Sequence, residues 1–442
     1  MTKVDLSFFN INCYTLALIS FSGYFVAPSG IAHSKGKVLT DVVMANLKPK
    51  PLRILYAAGP GNVIGTYKHW VNGQDDPSQV SITYSGQFYD VCRILGAEGY
   101  IISSSDQRGF LRDGQFMIEH RPMPLRGGAG VLYHVSQVWY GLHLIISALL
   151  WKADVAVVSE GATHWFVLSL LPYFGVKVVP SVHCVLWRKY APKKVIEKLI
   201  LRLNRHFFAR TCTAVLAVSK DISEQIEDCA GGQHRPILEF LPIYRRIEFD
   251  GVTSPDDNRS PFRVLFVGRI ERFKGVFDLL DIAQRFSSEG REDIRFDLCG
   301  TGSDLESLRL AAKRSGIDSS FICHGYCNKQ QMREMFGKAH VVIVPTTTAF
   351  IEGFCKVVAE GILAGRPVVT SDVVPALSYV RDAVVEVSPD DVKGYGDALI
   401  KLYEDHEFYA AKRQACFKVQ EQFYDTSKGW EAALKSILTA MQ

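Results

Sequence analysis

Short, nearly uninterrupted apolar runs recur along this chain and alternate with stretches of helical spacing. Residues 52–58, 155–159 and 262–268 form three such runs. Between the first two, residues 86–98 and 137–151 place apolar side chains at helical intervals. A strand that is apolar on both faces is typical of a parallel sheet with helices packed on each side. The alternation therefore predicts an α/β fold with parallel sheets covered on both faces.

One segment interrupts this alternation. Residues 246–260 are rich in Asp, Pro, Ser and Arg, a composition that indicates an interdomain linker. A chain of 442 residues is long enough to bury two separate cores. We therefore expect one domain at residues 51–245 and a second at residues 261–419.

Two glutamates in the second predicted domain are the strongest indication of a ligand site. The apolar run at 341–345 leads to Glu352 and Gly353, and Glu360 lies two helical turns further on. At a rise of about 1.5 Å per residue, a helix that begins at Glu352 separates the two carboxylates by about 12 Å. This length suits a sugar joined to a nucleoside diphosphate, with the phosphates at the helix N-terminus. An ordinary amphipathic helix with two solvated glutamates is the alternative.

A pair of cations follows the strand that ends at Gly268. Arg269 and Lys274 lie beyond the carboxyl end of that strand, where open α/β sheets bind ligands. There they could neutralise a diphosphate, although solvated surface charges would give the same residues. The sequence contains no Asp-x-Asp, the carboxylate pair that commonly holds a divalent metal. We therefore expect the two cations to act in place of a metal, and we predict no metal site.

The order of these motifs resembles the C-terminal half of the family 4 glycosyltransferases, which are retaining enzymes. The matching segments are Val267-Gly-Arg269, Lys274-Gly275, Gly300-Thr-Gly302, Gly325-Tyr326 and the stretch from Glu352 to Glu360. Each motif is weak alone, but their ordered occurrence is specific. Upstream, residues 179–183 resemble the strand that ends in the active-site histidine of this family. The resemblance implies the GT-B architecture, in which two Rossmann-like, doubly wound domains face each other across a cleft and the segment at about 420–442 joins the first domain.

The resemblance also implies catalytic residues. They are Glu352, His183, Arg269 and Lys274. Glu352 would hold the donor sugar, and the two cations would stabilise the departing diphosphate, which takes the proton of the acceptor. His183 would contact the sugar from the acceptor domain, and a histidine buried in the core is its alternative.

A further set of residues is implied to bind the donor. This set is Glu360, Gly353, Phe354, Cys355, Gly302, Gly325, Tyr326 and Gly61. Backbone N–H groups after Glu352 would hold the β-phosphate, Glu360 would accept from the ribose hydroxyls, and Gly325 with Tyr326 would meet the base. Gly61 lies in a glycine-rich loop, and a plain turn is equally compatible with that loop.

The function implied is that of a retaining, metal-independent glycosyltransferase in cell-surface polysaccharide or glycolipid synthesis. It would need no cofactor, because the nucleotide-diphosphate sugar is its substrate, and a glycan or a lipid-linked molecule would be its acceptor. A nucleotide-sugar 2-epimerase and a non-catalytic binding protein on the same scaffold are the alternatives. Three positions depart from the family pattern, since Cys184, Cys355 and Lys356 stand where an acid, a small residue and an apolar residue or proline are usual.

Residues 188–210 are strongly basic and bear on the acceptor. Eight lysines and arginines there accompany one acid, Glu197, and apolar residues that include Phe207 and Phe208 interleave with them. This pattern is typical of a helix on an anionic membrane surface, although a core-facing helix with a basic solvent side gives the same string. With a net charge of +4 and no reading motif, the chain is not predicted to bind nucleic acid.

The first fifty residues differ from the rest. Residues 6–34 carry no Lys, Arg, Asp or Glu, which is long enough for a bilayer anchor, but interspersed Asn, Thr and Ser weaken that reading. A poorly ordered extension, or a true start at Met44, is the alternative. Ten scattered cysteines without a CxxC pair favour reduced thiols. We therefore expect a cytoplasmic protein, with peripheral contact to the inner face of the membrane.

Overall fold

Strands rich in valine and isoleucine build two sheets in the computed structural model, which describes residues 50–125, 130–159, 164–255 and 259–441. The predicted extension at 1–50 lies outside these ranges except for its last residue. Each half of the described chain is an α/β domain around a mainly parallel sheet, so the predicted fold class is confirmed.

The first sheet contains eight strands. They are β1 (Arg53–Ala57), β2 (Glu98–Ser103), β3 (Gly109–Asp113), β4 (Phe116–His120), β5 (Val155–Val158), β6 (Lys177–Val182), β7 (Val215–Ala217) and β8 (Ile237–Glu239). Their order is β3-β4-β2-β1-β5-β6-β7-β8, with β3 antiparallel to β4 and the other pairs parallel. Because β1 lies between β2 and β5, the carboxyl ends of β1 and β5 form a topological switch point, where such sheets bind ligands.

Helices connect these strands on both faces. They are α1 (Val63–Val71), α2 (Tyr84–Leu95), α3 (Val131–Trp151), α4 (Val195–His206) and α5 (Lys220–Ala230), together with a 3₁₀ segment at Trp165–Phe174 and a π turn at Phe207–Thr211. The helix predicted at 86–98 ends earlier because Gly96, at φ 61°, caps it in the left-handed conformation. The helix predicted from residue 137 begins earlier, at Val131. No helix within the described residues is both long and apolar enough to cross a bilayer.

The second sheet is entirely parallel and has six strands. They are β9 (Phe262–Val267), β10 (Ile294–Cys299), β11 (Phe321–Gly325), β12 (Val341–Val344), β13 (Val368–Thr370) and β14 (Val384–Glu386), in the order β11-β10-β9-β12-β13-β14. This is the doubly wound order, with its switch point between β9 and β12. The helices of this half are α6 (Val276–Ser288), α7 (Leu305–Arg314), α8 (Lys329–Lys338), α9 (Lys356–Leu363), α10 (Leu377–Val380), α11 (Val392–Glu404) and α12 (His406–Val419).

The last helix, α13 (Trp430–Thr439), packs against α2 and β7 and so completes the core of the first domain. Trp430 is fully buried, and its ring centroid lies 5.4 Å from that of Tyr56 and 6.0 Å from that of Tyr84. The indole Nε1 donates a hydrogen bond of 2.8 Å to Ser181 Oγ, at the end of β6. The stability of the first domain therefore depends on a residue far along the chain.

Trp430→Ala should lower the free energy of unfolding by about 3–5 kcal/mol, because it removes a buried indole and leaves a cavity. Trp430→Phe keeps a ring in the core but loses the hydrogen bond to Ser181, so it should cost only about 1 kcal/mol. Urea denaturation measures both. The control is Trp139→Ala, whose wild-type side chain is exposed, and it should change stability by less than about 0.5 kcal/mol. Equal losses for Trp430→Ala and Trp139→Ala would contradict the role of α13 in the core.

Candidate active site

A cavity of about 470 Å³ lies between the carboxyl edges of the two sheets. The first domain lines it with Gly61 after β1, Ser159 after β5 and His183 after β6. The second domain lines it with the residues from Glu352 to Lys356, after β12. Both sheets therefore turn their ligand-binding edges towards one space.

Glu352 is buried at this cavity and is paired with Lys274. The Lys274 Nζ lies 2.5 Å from Glu352 Oε2, and both side chains are largely shielded from solvent. Glu352 Oε1 accepts a hydrogen bond of 3.2 Å from the Gly353 N–H, and Oε2 accepts one of 3.5 Å from the Thr346 hydroxyl. The ring centroid of Phe350 lies 4.0 Å from Lys274 Nζ. Two of the predicted catalytic residues are thus held in fixed positions beside the cavity.

Arg269 lies near this pair but has a different partner. Its guanidinium pairs with Glu271 at 2.9 Å and lies 5.4 Å from the ring centroids of Phe273 and Phe350. Phe350 is therefore a neighbour of Arg269 and of Lys274 alike. Since the Arg269 side chain is more than half exposed, at 55%, an anionic ligand could compete with Glu271 for it.

The two domains touch at Gly353. A Cβ added to this glycine would overlap the carbonyl oxygen of His183, so no larger residue fits. One residue earlier, the Glu352 carbonyl accepts a hydrogen bond of 3.2 Å from the N–H of Val185. Lys189 on the same loop of the first domain reaches Asp372 of the second at 2.7 Å. The loop after β6 therefore contacts and hydrogen-bonds to the loop that carries Glu352, the predicted catalytic glutamate.

The prediction that a helix begins at Glu352 is wrong. Helix α9 begins at Lys356, and the residue before it, Cys355, has a left-handed backbone with φ 63°. This left-handed conformation interrupts any right-handed helical path through Cys355. Glu352 therefore lies on a loop before the helix, and the two glutamates do not share one helix. Burial, followed by the nearby Glu352, raises the pKa of the Cys355 thiol to about 12, so the thiol is a poor nucleophile.

Glu360 lies in the second turn of α9. Its Oε1 accepts a hydrogen bond of 3.5 Å from Tyr244 Oη, and Tyr244 itself is buried. Burial raises the pKa of the Glu360 carboxyl, and the charge of Lys356 only partly offsets this. A carboxylate held in such a place gains from hydroxyl donors, which is the role predicted for it towards a ribose.

His183 belongs to a short chain of hydrogen bonds. Its Nε2 lies 2.9 Å from Ser181 Oγ, which in turn accepts from Trp430 Nε1. Its ring lies 4.6 Å from that of Tyr84 and 5.4 Å from that of Phe240, measured between centroids. Burial and the charge of Lys356 lower the pKa of His183 to about 3, so the imidazole is neutral at physiological pH. The histidine both lines the cavity and is tied to the core.

The remaining predicted donor residues fall into two groups, and only the first group lines the cavity. Gly61 faces the cavity with open space at its Cβ position, and its N–H donates to Ser103 Oγ at 3.2 Å. Phe354 buries its ring against Tyr379 and Phe423, so its backbone alone can serve the donor. These two residues therefore lie at the cavity, as do Gly353 and Cys355.

The other three predicted donor residues follow β10 and β11 of the second domain and are not among the residues that line the cavity: Gly302 lies after β10, Gly325 ends β11, and Tyr326 comes directly after it. A Cβ at Gly302 would overlap the carbonyl of Ile270, so this glycine allows two loops to pack closely. Gly325 has φ 76° at the end of β11, and Tyr326 beside it is exposed. Their predicted contact with a base remains a prediction.

Sequence reasoning missed the contribution of Lys356. Lys356 is the first residue of α9, and its Nζ donates a hydrogen bond of 2.8 Å to Ser81 Oγ of the first domain. The same Nζ lies 5.3 Å from the ring centroid of Tyr84. From the sequence, Lys356 stands out only as a departure from a family pattern. The sequence does offer one indication of this role. A cation at the start of a helix adds to the positive end of the helix dipole and so favours an anionic ligand there.

Asp76 was also missed. It lines the cavity from the connection between α1 and α2, and it accepts hydrogen bonds of 2.6 Å from the Thr66 hydroxyl and 2.7 Å from the Ser78 hydroxyl. Although burial raises its pKa, these hydrogen bonds outweigh that effect and lower it. The Asp-Asp-Pro-Ser turn of this segment carries no sequence signal that distinguishes it from an ordinary loop.

Comparison with known sequences identifies the second domain. Residues 254–418 match the family described as Glycosyl transferases group 1. A 2-deoxystreptamine N-acetyl-D-glucosaminyltransferase from Niallia circulans is 24% identical over 179 residues, which are 40% of this chain and 43% of that protein. A glycogen synthase from Mycobacterium tuberculosis is 22% identical over 277 residues, 60% of this chain and 63% of that protein. This chain spans less than two thirds of the length of either relative.

Comparison with solved structures covers both domains. The crystal structure of Anabaena HepE in complex with UDP matches with a TM-score of 0.60 at 13% sequence identity. The match covers 89% of this chain and 99% of HepE. At this identity it shows the fold, which is GT-B, as the resemblance implied.

The lowered pKa of His183 gives a prediction for pH. An unfolded histidine takes up a proton near pH 6.5, while His183 in the folded protein does so only near pH 3, so folding stability falls as pH drops below 6.5. His183→Gln should remove this loss, up to about 2 kcal/mol at pH 5. Urea unfolding at pH 7 and pH 5 measures the difference. The exposed His406→Gln is the control, and an identical pH dependence in both variants and the wild type would contradict the assignment.

Proposed function

We propose that this chain moves a sugar from a nucleotide-diphosphate sugar to a glycan or lipid-linked acceptor, because residues 254–418 match the family Glycosyl transferases group 1. The observation that supports this best is the buried Glu352–Lys274 pair beside a cavity that His183 lines from the opposite domain. A cleft between two nucleotide-binding sheets can hold a donor on one side and an acceptor on the other.

We assign the donor to the second domain. The N–H groups at the start of α9 and the cations Lys274 and Arg269 would meet the diphosphate, while Glu352 orients the sugar. Glu360 would accept from the ribose hydroxyls, which offsets the cost of its burial. Since HepE was solved with UDP, uridine nucleotides are the first class to test.

We propose a retaining transfer without a metal or cofactor. The bond from the anomeric carbon to the phosphate oxygen breaks, and the acceptor oxygen attacks from the same face. The acceptor proton passes to the departing phosphate oxygen, and Lys274 and Arg269 stabilise the charge on that diphosphate. Neutral His183 and the carboxylate of Asp76 line the acceptor side, where they can orient a sugar hydroxyl by hydrogen bonds.

The predicted setting of the reaction follows from the acceptor. A lipid-linked acceptor would place the protein on the cytoplasmic face of a membrane, through the basic segment 188–210, in cell-surface polysaccharide or glycolipid synthesis. A 2-epimerase or a non-catalytic binding protein on the same scaffold would bind the same nucleotide sugar. They differ from a transferase in their product, which is an epimerised donor in the first case and none in the second.

Thermal unfolding with UDP, GDP, ADP and their sugar conjugates tests the donor class. A matching nucleotide at about one hundred times its Kd should raise the Tm by about 3 °C, with EDTA present. Glu360→Gln should abolish that shift. Because the pKa of Glu360 is raised, its stabilising protonation is lost as pH rises through that pKa, so Glu360→Gln without nucleotide should melt at a higher temperature than the wild type at pH 7.5.

Glu306→Gln, at a side chain that is 77% exposed, is the control for the Glu360 variant and should keep the wild-type shift. No shift with any nucleotide would reject the donor site. A shift without transfer or epimerisation would favour the binding protein. Nuclear magnetic resonance of the product reports the anomeric configuration, and an inverted linkage would refute retention.

Lys356 is expected to hold an anionic part of the donor. Lys356→Met should weaken the binding of a nucleoside diphosphate about tenfold and that of the bare nucleoside little, because it removes one charge-assisted hydrogen bond. Ser81→Ala removes the hydroxyl that accepts from the Lys356 Nζ but keeps the cation, so the affinity of this variant should stay within about threefold of the wild type. Isothermal titration calorimetry measures both. Equal losses for diphosphate and nucleoside would show that Lys356 acts on the fold instead.

A further inference from the structure

Helix α3 turns an apolar face to the outside of the first domain. Five exposed residues recur along it at intervals of three or four: Val135, Trp139, Leu142, Ile146 and Leu150. Trp139 is 53% exposed and Leu150 is 80% exposed. The helix contains no Lys, Arg, Asp or Glu. These residues therefore form one continuous apolar stripe along 21 residues of helix.

The inner face of the same helix is the more polar one. Ser136, Gln137 and Ser147 are buried there beside Tyr140 and Leu144. A helix on the surface of a globular protein normally has the opposite arrangement, with its apolar stripe towards the core. An apolar stripe that faces outwards marks an interaction surface, because its exposure to water is unfavourable.

The apolar surface continues onto two neighbouring elements. The 3₁₀ segment Trp165–Phe174 packs against α3 and α4, and its Tyr173 is 83% exposed beside the exposed Phe174. On α4, Val195, Leu199 and Leu203 are exposed at intervals of four residues. The three elements together are called the apolar face below.

Cations border the apolar face. Lys194, Lys198, Arg202 and Arg205 are exposed on α4 or at its first turn. The acid of this helix, Glu197, accepts a hydrogen bond of 2.8 Å from the N–H of Lys194 and lies 3.9 Å from Arg188. The predicted apolar residues Phe207 and Phe208 do not belong to this surface, because both are fully buried against Trp165. The charge beside the apolar face is therefore positive.

A groove in the apolar face lies near the active-site edge. It has a volume of about 510 Å³ and is lined by Val131, Val135, Val138 and Trp139 of α3 and by Ile196 of α4. Helix α3 follows β4 and helix α4 follows β6, so both helices begin at the carboxyl edge of the first sheet. That is the edge from which Gly61 and His183 line the cavity.

We propose that the apolar face docks onto an anionic lipid bilayer. Trp139, Ile146 and Tyr173 enter the interface, the cations of α4 contact lipid phosphates, and the groove receives one hydrocarbon chain of a lipid. Apolar area together with basic charge favours an anionic bilayer as the partner, because both contribute to binding at such a surface. The purpose of the docking rests on the proposed function, since it would bring the protein to a lipid-linked acceptor. The docking itself requires no nucleotide sugar.

Flotation of the full chain with lipid vesicles tests the proposal without nucleotide. The wild type should bind vesicles that contain phosphatidylglycerol and bind pure phosphatidylcholine weakly. Lys198→Ala and Arg202→Ala should each weaken binding about fivefold. The double variant Trp139→Asp, Ile146→Asp should weaken it at least about tenfold, because it places two charges in the interface. Circular dichroism and the Tm establish that each variant is folded.

A matched control comes from exposed apolar residues elsewhere. Val71→Asp on α1 and Leu310→Asp on α7 start from similar exposure and should leave vesicle binding unchanged. Nucleotide binding should remain intact in the Trp139, Ile146 double variant, so a failed donor site and a failed docking surface give different results. In addition, brominated lipids should quench the tryptophan fluorescence of the wild type more than that of Trp139→Phe.

Three results would overturn the proposal. The first is equal vesicle binding by the wild type and the double variant. The second is a wild-type dimer that the double variant converts to a monomer, since a second copy would then cover the apolar face. The third is loss of binding on deletion of residues 1–49 with α3 and α4 unchanged, since the contact would then belong to that segment.

Discussion

The contact between Gly353 and the carbonyl of His183 is the constraint on which the site depends. It joins the loops that follow β6 and β12, and glycine is required because an added Cβ would lie 2.3 Å from that carbonyl oxygen. The hydrogen bond from Val185 to the Glu352 carbonyl fixes the same junction. Glu352 is consequently held within 2.5 Å of Lys274. The cavity lies beside this junction and is lined by His183, Glu352 and Gly353. A change at Gly353 would therefore alter both domains at once.

The charges around the cavity are distributed unequally between its two sides. Lys274 and Glu352 offset each other at 2.5 Å, while Lys356 donates a hydrogen bond to the Ser81 hydroxyl and its charge also acts on Glu360. Burial raises the pKa of Glu360, and the same environment keeps His183 neutral. The site thus contains the cation of Lys356 at the start of a helix and, in Glu360, a carboxylate that is costly to bury. Both features favour a ligand that carries phosphate oxygens for the first and hydroxyl donors for the second.

The sequence predicted the fold well because strand burial and motif order are local properties. The apolar runs at 262–267 and 341–344 became neighbouring strands, and Lys274 met Glu352 since both follow parallel strands at a switch point. The prediction of a helix from Glu352 to Cys355 was wrong. The left-handed backbone of Cys355 and the contact of Gly353 with the first domain leave no periodic pattern in the sequence. Ser81 was missed for a related reason, because its role arises from a contact with Lys356, which lies far along the chain. Asp76 was missed because its turn has no sequence pattern that distinguishes it from an ordinary loop.

Parallel topology also connects the cavity with the proposed docking surface. In a parallel sheet every connecting helix begins at the carboxyl edge, so the first turns of α3 and α4 lie at the edge where the cavity opens. From that edge the 21 residues of α3 extend about 30 Å, at about 1.5 Å per residue. If α3 lies flat on a bilayer, the cavity edge stands at the height of the lipid headgroups. A sugar acceptor anchored by a hydrocarbon chain would then meet the donor without leaving the membrane, and the cost of extracting that chain would be avoided.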